Sequence, residues 1–537
     1  TIPPAFPISA WVGLTHAAVT GQVAVAGPST GHVSVAGTST QPIRKPTAEQ
    51  RVVVDLDIAW GTPQRIRLVA YAGTGKTFTL AKLASKHAGR RILYMAYNKD
   101  VARHAEIKVF NCARHVTCKT THAIALEYMR KKRLIYDRKK FQDYDLTSKQ
   151  VIGAVRKQCG SFDEDSMNQA TVLKVVDAFL RSADLVVTAT HVADHYKGTD
   201  AHKIAKHREY AQAVVDCMFD KGNADVPWTF NGFLKRYYML GGHHELSADY
   251  EMVLIDEAQD LNPVTMAIAR GLQIPVVTVG DPHQHIYSFN GAKDGLCADH
   301  ADVELRLTRS FRFDPAVAWV ANKVIALKGE WRLLSGARPV LAGDAACPPS
   351  RVYLVDVPAH TDDIHAFLGR ATAEMPVGAT PPCVLCRSNA GMLGAAYWAI
   401  HHFRGRTGNK VHVLGGTNKA KLTLDKFRDV YKVQAKTWPR RVYSNFRTVD
   451  DVKAWAEKRD LVDIVSHCNF VLTHGNNAGT MLDRIKEHLA DADDPRVVLH
   501  AGTIHQSKGG EWDHVIVMPD VFAFLQHSSR PNSKAVW

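Results

Sequence analysis

The stretch RIRLVAYAGTGKT, residues 65–77, decides the fold. Residues 65–70 are predicted to form a strand, and residues 78–86 have the pattern of a helix. Between them stands a glycine-rich turn, AYAGTGKT at 70–77. A turn of this composition between a strand and a helix is the context of a phosphate-binding loop, whose backbone N–H groups wrap a β-phosphate at the helix N-terminus. The sequence therefore predicts a nucleotide-binding site here.

Two side chains of this turn suit a nucleoside triphosphate with Mg²⁺. Lys76 would supply positive charge to the β- and γ-phosphates, and the Thr77 hydroxyl would ligate the metal. The backbone of the preceding residues would complete the phosphate cradle: Ala72, Gly73, Thr74 and Gly75. One departure from the strict pattern is Ala70, which stands where the first glycine is expected. ATP and Mg²⁺ are therefore the predicted cofactors.

A second motif, LIDEAQD at 254–260, ends an apolar run with two adjacent carboxylates. Asp256 would hold Mg²⁺ through water, and Glu257 would orient or deprotonate the attacking water. An acidic strand end can arise by chance, but this one follows four apolar residues and accompanies a phosphate-binding loop upstream. The 180 residues between Lys76 and Asp256 are too many for one sheet crossover. A whole domain is therefore expected between the two motifs.

Near-continuous apolar runs predict further strands, at 91–96, 252–255, 276–279, 382–385 and 514–518. Strands of this kind are typical of parallel sheets that helices cover on both faces. Because helical stretches separate the runs, the fold class is predicted to be α/β with right-handed crossovers. Residues 126–228 are predicted to be mostly helical and are rich in Lys, Arg and His.

The charge balance favours a polyanionic partner. The 537 residues carry a formal net charge of +14, and Lys and Arg gain affinity for nucleic acid by releasing counterions from its phosphates. Many basic proteins bind no nucleic acid, so charge by itself leaves both interpretations open. No apolar run reaches the ~18 residues that a membrane span requires, so no membrane association is expected.

A local concentration of positive charge lies at 130–133, RKKR, and continues at 138–140. This run could be a nuclear localisation signal or a patch that contacts a DNA backbone. It could equally be the solvated face of a helix in the domain expected between the two motifs. Both interpretations stay open on the sequence.

The nine cysteines form no disulfide framework. Cys383 and Cys386 make a single CxxC inside an apolar run, and no second pair stands at zinc spacing. We therefore interpret both as buried thiols rather than metal ligands. Without a disulfide pattern or a secretory signal, the sequence favours a reducing intracellular compartment, which would be the nucleus in a eukaryote.

Residues 1–43 differ in composition from the rest of the chain. No Asp, Glu, Lys or Arg precedes Arg44, and a ten-residue unit occurs twice, GQVAVAGPST at 21–30 and GHVSVAGTST at 31–40. About three or more units are needed before a repeat can bury a core. This stretch is therefore predicted to be a linker or a disordered tail.

Beyond the tail, the order of motifs resembles that of UvrD/Rep-type superfamily 1A DNA helicases, and most of all their F-box DNA helicase branch. The resemblance extends from Thr47 to Asp513. Besides the two motifs above, it rests on TAEQ at 47–50, AYNK at 96–99, TH at 121–122, GDPHQHIYSFNGA at 280–292, LTRSFR at 307–312, RSN at 387–389 and TIHQSKGGEWD at 503–513. The resemblance implies two RecA-like P-loop NTPase domains, each with an inserted, mainly helical subdomain. ATP would bind in the cleft between the two RecA-like domains.

The resemblance assigns nucleotide roles to four further residues. Gln50 would contact adenine, Gln284 would sense the γ-phosphate, Arg312 would be an arginine finger from the second lobe, and Glu511 would be another nucleotide contact. It also implies a set of DNA contacts, in which the two aromatic residues would meet bases: Asn98, Lys99, Thr121, His122, Tyr287, Phe289, Arg387 and His505. Aromatic side chains are usually buried and a lone histidine is most often structural, so these DNA roles depend on the motif context.

The motif order also implies a division of the chain. The expected segments are the tail at 1–43, the first RecA-like domain at 44–125 and 229–303 with a helical insertion at 126–228, and the second RecA-like domain at 304–395 and 496–537 with an insertion at 396–495.

As a whole, the resemblance implies an ATP-dependent DNA helicase or translocase with 3′-to-5′ polarity. It would move on single-stranded DNA, meet duplex junctions, and act in recombination and replication-fork repair. Two departures stand out: Asn290 occupies a position where the family usually has Arg, and the chain reaches Trp537 without the final motif that supplies a second arginine. No F-box segment is recognised before the motor.

These departures keep a second interpretation open, an ATP-gated DNA-binding regulatory protein with little turnover. A third is an RNA helicase of the same superfamily, against which the match of residues 280–292 to the DNA branch argues.

Overall fold

The computed structural model describes most of the chain. The described residues are 45–96, 99–111, 113–134, 146–163, 168–196, 198–220, 225–285, 296, 300–337, 352, 364–373, 375, 379–403, 408–437, 441–457 and 461–521. The tail predicted at 1–43 lies outside these ranges. So do four residues named above for DNA contact or as a departure from the family: Asn98, Tyr287, Phe289 and Asn290. Everything that follows concerns the compact unit Thr47–Trp537.

A parallel sheet of six strands organises the first half of this unit. Its strands are β1 Arg65–Ala70, β2 Ile92–Ala96, β3 Val116–Thr120, β4 Met252–Ile255, β5 Val276–Gly280 and β6 Val303–Leu307. They are ordered β3-β2-β4-β5-β1-β6, and each neighbouring pair is parallel. Parallel strands end at the same edge of a sheet, and only β5 separates β1 from β4. This order brings the residues that follow β1 close to those that follow β4.

Helices cover both faces of this sheet. They are α1 Ala48–Val54, α2 Lys76–Lys86, α3 Lys99–His104, α4 Thr121–Lys131, α5 Ser148–Cys159, α6 Gln169–Arg181, α7 Ala189–Ala193, α8 Ala201–Phe219, α9 Phe230–Met239, α10 Leu246–Asp249 and α11 Pro263–Gly271. Within β2, Leu93 and Met95 join one apolar core while Tyr94 joins the core on the opposite face. Burial on both faces explains why the strand sequences lack polar alternation.

A second parallel sheet lies further along the chain. Its strands are β9 Cys383–Cys386, β10 Lys410–Val413, β11 Val497–Thr503 and β12 Val515–Val517, in the order β10-β11-β9-β12, and a small separate pair joins β7 Arg309–Ser310 to β8 Ser335–Gly336. The accompanying helices are α12 Pro315–Ala326, α13 Ile364–Ala373, α14 Asn389–His402, α15 Thr417–Gln434, α16 Val449–Glu457, α17 Val462–His474 and α18 Asn477–His488. Two parallel sheets flanked by helices confirm the predicted α/β class.

The last strand of the first sheet corrects one predicted boundary. β6 pairs with β1 from Ile66↔Val303 to Ala70↔Leu307, so the first sheet extends past the boundary that the motif order predicts between residues 303 and 304. β6 is an edge strand on which Glu304 and Arg306 carry charge, and its sequence does not reveal which sheet it joins. The other predicted domain boundaries stay predictions.

The CxxC pair lies on β9, in the middle of the second sheet. Cys383 and Cys386 are both completely buried, and burial raises the pKa of the Cys383 thiol to about 12. Within the described ranges, no group of three or more His, Cys, Asp or Glu residues is arranged to hold a metal ion. The burial of both thiols agrees with the prediction that they pack as small apolar groups.

The basic run RKKR, residues 130–133, includes the last two residues of α4 and the two that follow. Arg130, Lys131, Lys132 and Arg133 are exposed, and Glu245 pairs with Lys132 at 2.7 Å and with Lys131 at 3.7 Å. The continuation at 138–140 lies outside the described residues. Among the helices that the structure describes, none combines the length and apolar character that a bilayer crossing demands.

A buried histidine makes the second half of the unit sensitive to acid. His467 on α17 is 5% exposed, its ring centroid lies 4.2 Å from that of Phe427, and burial lowers its pKa to about 4. An unfolded histidine titrates near pH 6.5, so between pH 6.5 and 4 the unfolded chain binds more protons than the folded one. The stabilising contribution of the neutral His467 is therefore fully present above pH 6.5, and it decreases as the pH falls toward 4.

We expect His467→Leu to reduce this acid sensitivity. Between pH 7.5 and 5.0 this histidine should lower the free energy of unfolding of the wild-type protein by about 2 kcal/mol. The decrease between the two pH values should therefore be smaller by about 2 kcal/mol in the variant. Urea unfolding at the two pH values measures the difference. His202→Leu, at an exposed position on α8, serves as the control and should keep the full pH dependence. Equal pH dependence in wild type and His467→Leu would contradict the assignment.

Candidate active site

The glycine-rich loop after β1 has the backbone that a phosphate cradle needs. Gly73 and Gly75 have positive φ angles of +72° and +79°, which other residues rarely adopt. A Cβ atom on Gly73 would come within 2.6 Å of the Arg312 Cβ, so the loop is also closely packed. Thr74 is buried, and its hydroxyl donates to the Tyr71 carbonyl at 2.8 Å. The loop ends at Lys76, the first residue of α2.

Gln50 ties α1 to this loop. Its backbone N–H donates to the Thr47 hydroxyl and its side-chain oxygen accepts from the Thr47 N–H, which forms a capping box at the start of α1. The Gln50 Nε2 donates to the Thr74 carbonyl at 3.1 Å. The side chain is 3% exposed. Gln50 is thus positioned at the loop, and its role as an adenine contact remains a proposal.

The structure brings the phosphate loop and the acidic strand end together. The Thr77 hydroxyl lies 3.4 Å from Asp256 Oδ2, across 179 residues of sequence. Lys76 Nζ lies 3.9 Å from Glu257 Oε1. Both contacts follow from the sheet order, which leaves only β5 between β1 and β4. One ligand that carries phosphates and a metal could therefore contact all four residues.

The two carboxylates differ in their electrostatic surroundings. Burial, and then the negative charge of Glu257, raise the pKa of the Asp256 carboxyl. Burial also acts to raise the pKa of Glu257, but the charges of Lys76 and Lys508 outweigh it and hold that pKa below its ordinary value. Glu257 therefore stays ionised at neutral pH, as a group that accepts a proton from water must be.

Glu257 also adopts an unusual backbone conformation. Its φ is +53° and ψ is 42°, in the left-handed region. A non-glycine residue there costs on the order of 1–3 kcal/mol and is found most often at functional sites. The conformation lets the chain turn sharply at the end of β4, so that consecutive carboxylates can face the loop.

The donor set fits Mg²⁺. The Thr77 hydroxyl and the Asp256 carboxylate are hard oxygen donors, and Mg²⁺ in nucleotide sites is bound by one or two such groups together with phosphate oxygens and water. A larger cage of protein ligands is not required. The described residues contain no such cage.

The site includes a residue that the sequence did not single out. Tyr94, buried on β2, donates its hydroxyl hydrogen to Asp256 Oδ2 at 2.7 Å, and burial, together with the charge of Asp256, raises the pKa of the phenol. Tyr94 stands opposite Leu254 in the β2–β4 register. No local pattern reveals that pairing, since it depends on which strands are neighbours.

We expect Tyr94→Phe to weaken the metal site. The change keeps the ring but removes the hydrogen bond that holds the carboxylate, and loss of such a supporting contact typically costs about 10-fold or more in metal affinity or activity. The Mg²⁺ concentration that gives half-maximal ATP hydrolysis should rise about 10-fold. Tyr237→Phe is the matched control, because its buried hydroxyl has no hydrogen-bond partner among the described atoms. An unchanged Mg²⁺ dependence in Tyr94→Phe would refute the assignment.

A chain of hydrogen bonds connects Glu257 to Gln284. Gln259 Nε2 donates to Glu257 Oε2 at 2.6 Å, and Gln259 Oε1 accepts from the Asp281 N–H at 3.1 Å. Asp281 Oδ2 in turn accepts from Gln284 Nε2 at 2.8 Å. Gln259 and Asp281 lie inside motifs that the sequence analysis quoted, but it gave them no role. These hydrogen bonds hold Gln284, the predicted γ-phosphate sensor, in a fixed position relative to Glu257, the predicted base.

Arg312 lies beside the phosphate loop. It follows β7, and the neighbouring Phe311 N–H donates to the Gly73 carbonyl at 2.8 Å. The Arg312 Nε donates to Glu511 Oε1 at 2.8 Å. Glu511 belongs to the segment after β11 of the second sheet, so this ion pair connects that segment to the loop. Arg312 itself precedes all strands of the second sheet, whereas the sequence analysis expected it to approach from the second lobe.

The predicted DNA contacts fall into two groups. Arg387 and His505 are exposed and follow β9 and β11, which are neighbours with Cys386 opposite Thr503. They therefore share the carboxyl edge of the second sheet. Lys99 is exposed at the start of α3. All three have surroundings compatible with a nucleic-acid contact, although a DNA role remains a proposal.

Thr121 and His122 have surroundings that do not support such a role. Thr121 is 8% exposed. The His122 ring lies 6.1 Å from the rings of Phe230 and Phe233, and burial lowers its pKa. Both residues lie at the start of α4, and their DNA roles stay a prediction.

Comparison with known families shows what the part of the chain that carries this site is similar to. Residues 57–299 match the model of the UvrD/REP helicase N-terminal domain, a span that includes the phosphate loop, the acidic pair and Gln284. Residues 57–299 are therefore similar to the N-terminal domain of UvrD/REP helicases. This match confirms the family resemblance predicted from the sequence, and it supports a two-domain P-loop architecture.

The curated proteins that are similar to this chain include both F-box and bacterial helicases. F-box DNA helicase 1 of Gallus gallus is 27% identical over 499 residues, covering 89% of this chain and 45% of that protein. F-box DNA helicase protein 1 of Schizosaccharomyces pombe is 28% identical over 309 residues, covering 54% and 34%. The ATP-dependent DNA helicase UvrD2 of Mycobacterium tuberculosis H37Rv is 26% identical over 363 residues, covering 60% and 50%. The chain spans half or less of the length of these relatives.

Proposed function

We propose that the chain is an ATP-dependent DNA helicase or translocase that moves on single-stranded DNA. The observation that carries the proposal is the proximity of Lys76 to Glu257 and of Thr77 to Asp256, at 3.9 and 3.4 Å. The match to the helicase family model supports a helicase, and the names of the relatives support DNA as the substrate. The formal charge of +14 agrees with a polyanionic partner.

In the proposed reaction, Lys76 and the loop N–H groups hold the phosphates of ATP. Mg²⁺, held by Thr77 and by Asp256 through water, would neutralise charge on the β- and γ-phosphates. Glu257 receives the proton of the attacking water. Its Oε2 is held by Gln259 at 2.6 Å, whereas its Oε1 contacts only Lys76 among the groups described above, at 3.9 Å. When Lys76 turns to the phosphates, Oε1 is the oxygen left to accept the proton.

Contacts between the two sheets support coupling of hydrolysis to movement. Arg312 pairs with Glu511, and Lys508 reaches the acidic motif from the same segment of the second sheet. Loss of the γ-phosphate removes charge-assisted contacts across this cleft, so the sheets can separate. DNA held at Arg387 and His505 would then be shifted relative to the first sheet. Movement from 3′ to 5′, a role in recombination and fork repair at duplex junctions, and nuclear location in a eukaryote follow from family resemblance alone.

The alternative is an ATP-gated DNA-binding protein with little turnover. The pairing of Arg312 with Glu511 favours it, because an arginine finger engaged by a carboxylate is not available to a phosphate. In that case ATP would change the affinity for DNA while phosphate release stayed slow.

Phosphate release with and without single-stranded DNA distinguishes the two. Stimulation by DNA, together with unwinding of a duplex that carries a 3′ single-stranded extension, supports the motor. ATP-dependent DNA binding without phosphate release supports the regulatory alternative. Equal unwinding of RNA and DNA duplexes of the same length would argue for the RNA helicase interpretation instead.

A further inference from the structure

Lys508 is a cation that crosses from the second sheet to the acidic motif of the first. Its ammonium group pairs with Asp260 Oδ2 and lies 3.7 Å from Glu257 Oε2. It also lies 3.5 Å from the Gln284 carbonyl oxygen. One side chain thus contacts the predicted base, its neighbour Asp260 and the backbone of the predicted γ-phosphate sensor.

The segment that carries Lys508 is a tight turn after β11. Gln506 Oε1 accepts from the Thr503 N–H at 2.8 Å, and the Ser507 N–H donates to the Thr503 and Ile504 carbonyls at 3.1 and 3.3 Å. The Ser507 hydroxyl donates to the Ile504 carbonyl at 2.8 Å. His505 occupies the exposed side of the same turn. His505 and Lys508 therefore lie on one turn that its own hydrogen bonds hold together.

The charges around Glu257 give Lys508 a specific task. Lys76 contacts Oε1 of this carboxylate, whereas Lys508 and Gln259 contact Oε2. In the proposed reaction Lys76 is drawn to the phosphates, and Lys508 becomes the remaining cation on Glu257 among the ion pairs that the structure describes. Asp260 is 4% exposed, and a buried carboxylate without a cation is strongly disfavoured. Lys508 therefore both fixes the orientation of Glu257 and balances Asp260.

We propose that Lys508 is the positioning residue that couples DNA binding to ATP hydrolysis. In this inference, which rests on the proposed function, DNA bound at the 503–510 turn sets where the Lys508 ammonium sits on Glu257. The orientation of the base, and hence the rate of proton transfer from water, follows from that position. Lys508 touches neither the nucleotide nor the DNA in this scheme.

The test is ATP hydrolysis by Lys508→Ala with saturating single-stranded DNA. We expect kcat to fall about 10- to 100-fold, as for a misplaced catalytic group, while KM for ATP and the Kd for DNA stay within about twofold. Lys508→Arg retains a cation of sufficient reach and should recover part of the loss. A purely structural residue would not separate kcat from KM in this way. Lys421→Ala, an exposed lysine on α15, is the control and should behave as wild type.

Asp260→Asn provides the second arm. If Lys508 acts through the acidic motif, the double variant should lose little more than Lys508→Ala alone, because coupled residues are not additive. The inference would be overturned if the fold losses in kcat of the two single variants multiplied in the double variant. It would also be overturned by an unchanged kcat in a Lys508→Ala protein with the wild-type melting temperature. Absence of DNA stimulation in the wild-type protein would instead overturn the proposed function. In that case the basal kcat of Lys508→Ala still decides whether Lys508 positions the base.

Discussion

Replacement of Lys76 by alanine is expected to abolish ATP turnover. Lys76 is the first residue of α2, directly after the loop, and its ammonium lies 3.9 Å from Glu257. In the proposed reaction it neutralises charge that develops on the phosphates, and loss of one such preorganised group costs on the order of 10²–10³ in rate. Because Lys76 also contributes to binding the ground-state phosphates, we expect kcat/KM to fall further, below detection in a phosphate-release assay with saturating DNA.

Lys86→Ala is the matched control for this experiment. Lys86 lies at the other end of α2, 41% exposed, where it pairs with Asp55 at 3.1 Å, and an exposed pair of this kind contributes little to stability. This variant should hydrolyse ATP at the wild-type rate, and both variants should melt at the wild-type temperature. Wild-type hydrolysis by a folded Lys76→Ala protein would show that the active site lies elsewhere.

The strands of the sheets were predictable because burial leaves a strong signature. β1 and β4 have the predicted bounds, β4 as an apolar run, and β2 begins at Ile92, one residue after the predicted start. Strands covered on both faces must be apolar at nearly every position, so composition alone locates them. Helix α2 begins at Lys76 rather than Phe78, because Gly75 in a left-handed conformation lets the helix start directly at the end of the loop.

The neighbours of each strand were harder to predict. Tyr94 supports Asp256 only because β2 lies beside β4, and β6 belongs to the first sheet only because it pairs with β1. A run of apolar residues specifies a strand without specifying its neighbours. For the same reason the sequence does not reveal the role of Tyr94, and the motif order places a domain boundary one strand too early.

The candidate site was predictable where its residues share a local motif. Lys76, Thr77, Asp256 and Glu257 belong to two short motifs whose chemistry requires one ligand, so their meeting could be expected from the sequence. The contacts of Lys508 could not, since a lysine in TIHQSKGGEWD has no local feature that identifies Asp260 as its partner. Contacts between the sheets depend on how the chain closes the cleft, which no short segment encodes.

Replacement of Arg312 by alanine is expected to stop hydrolysis while ATP still binds. Arg312 lies against Gly73 of the phosphate loop, and its guanidinium pairs with Glu511 at 2.8 Å. During hydrolysis the guanidinium would exchange Glu511 for the γ-phosphate and stabilise the charge of the transition state. An arginine in that role is worth about 10³–10⁵ in kcat. We therefore expect kcat to fall by at least about 10³-fold, with the Kd of a fluorescent ATP analogue changed far less.

Two further variants separate this role from general electrostatics. Arg309→Ala removes an exposed arginine on β7, three residues earlier, and should leave kcat unchanged. Glu511→Gln removes the negative charge that competes with the γ-phosphate for the Arg312 guanidinium. If Arg312 exchanges partners during turnover, the kcat of the Glu511→Gln variant should not fall as the kcat of Arg312→Ala does. Equal losses in Arg312→Ala and Glu511→Gln would mean that the ion pair itself holds the active cleft together. In that case Arg312 would act as a connection between the two sheets, and the stabilisation of the γ-phosphate would have to come from another cation.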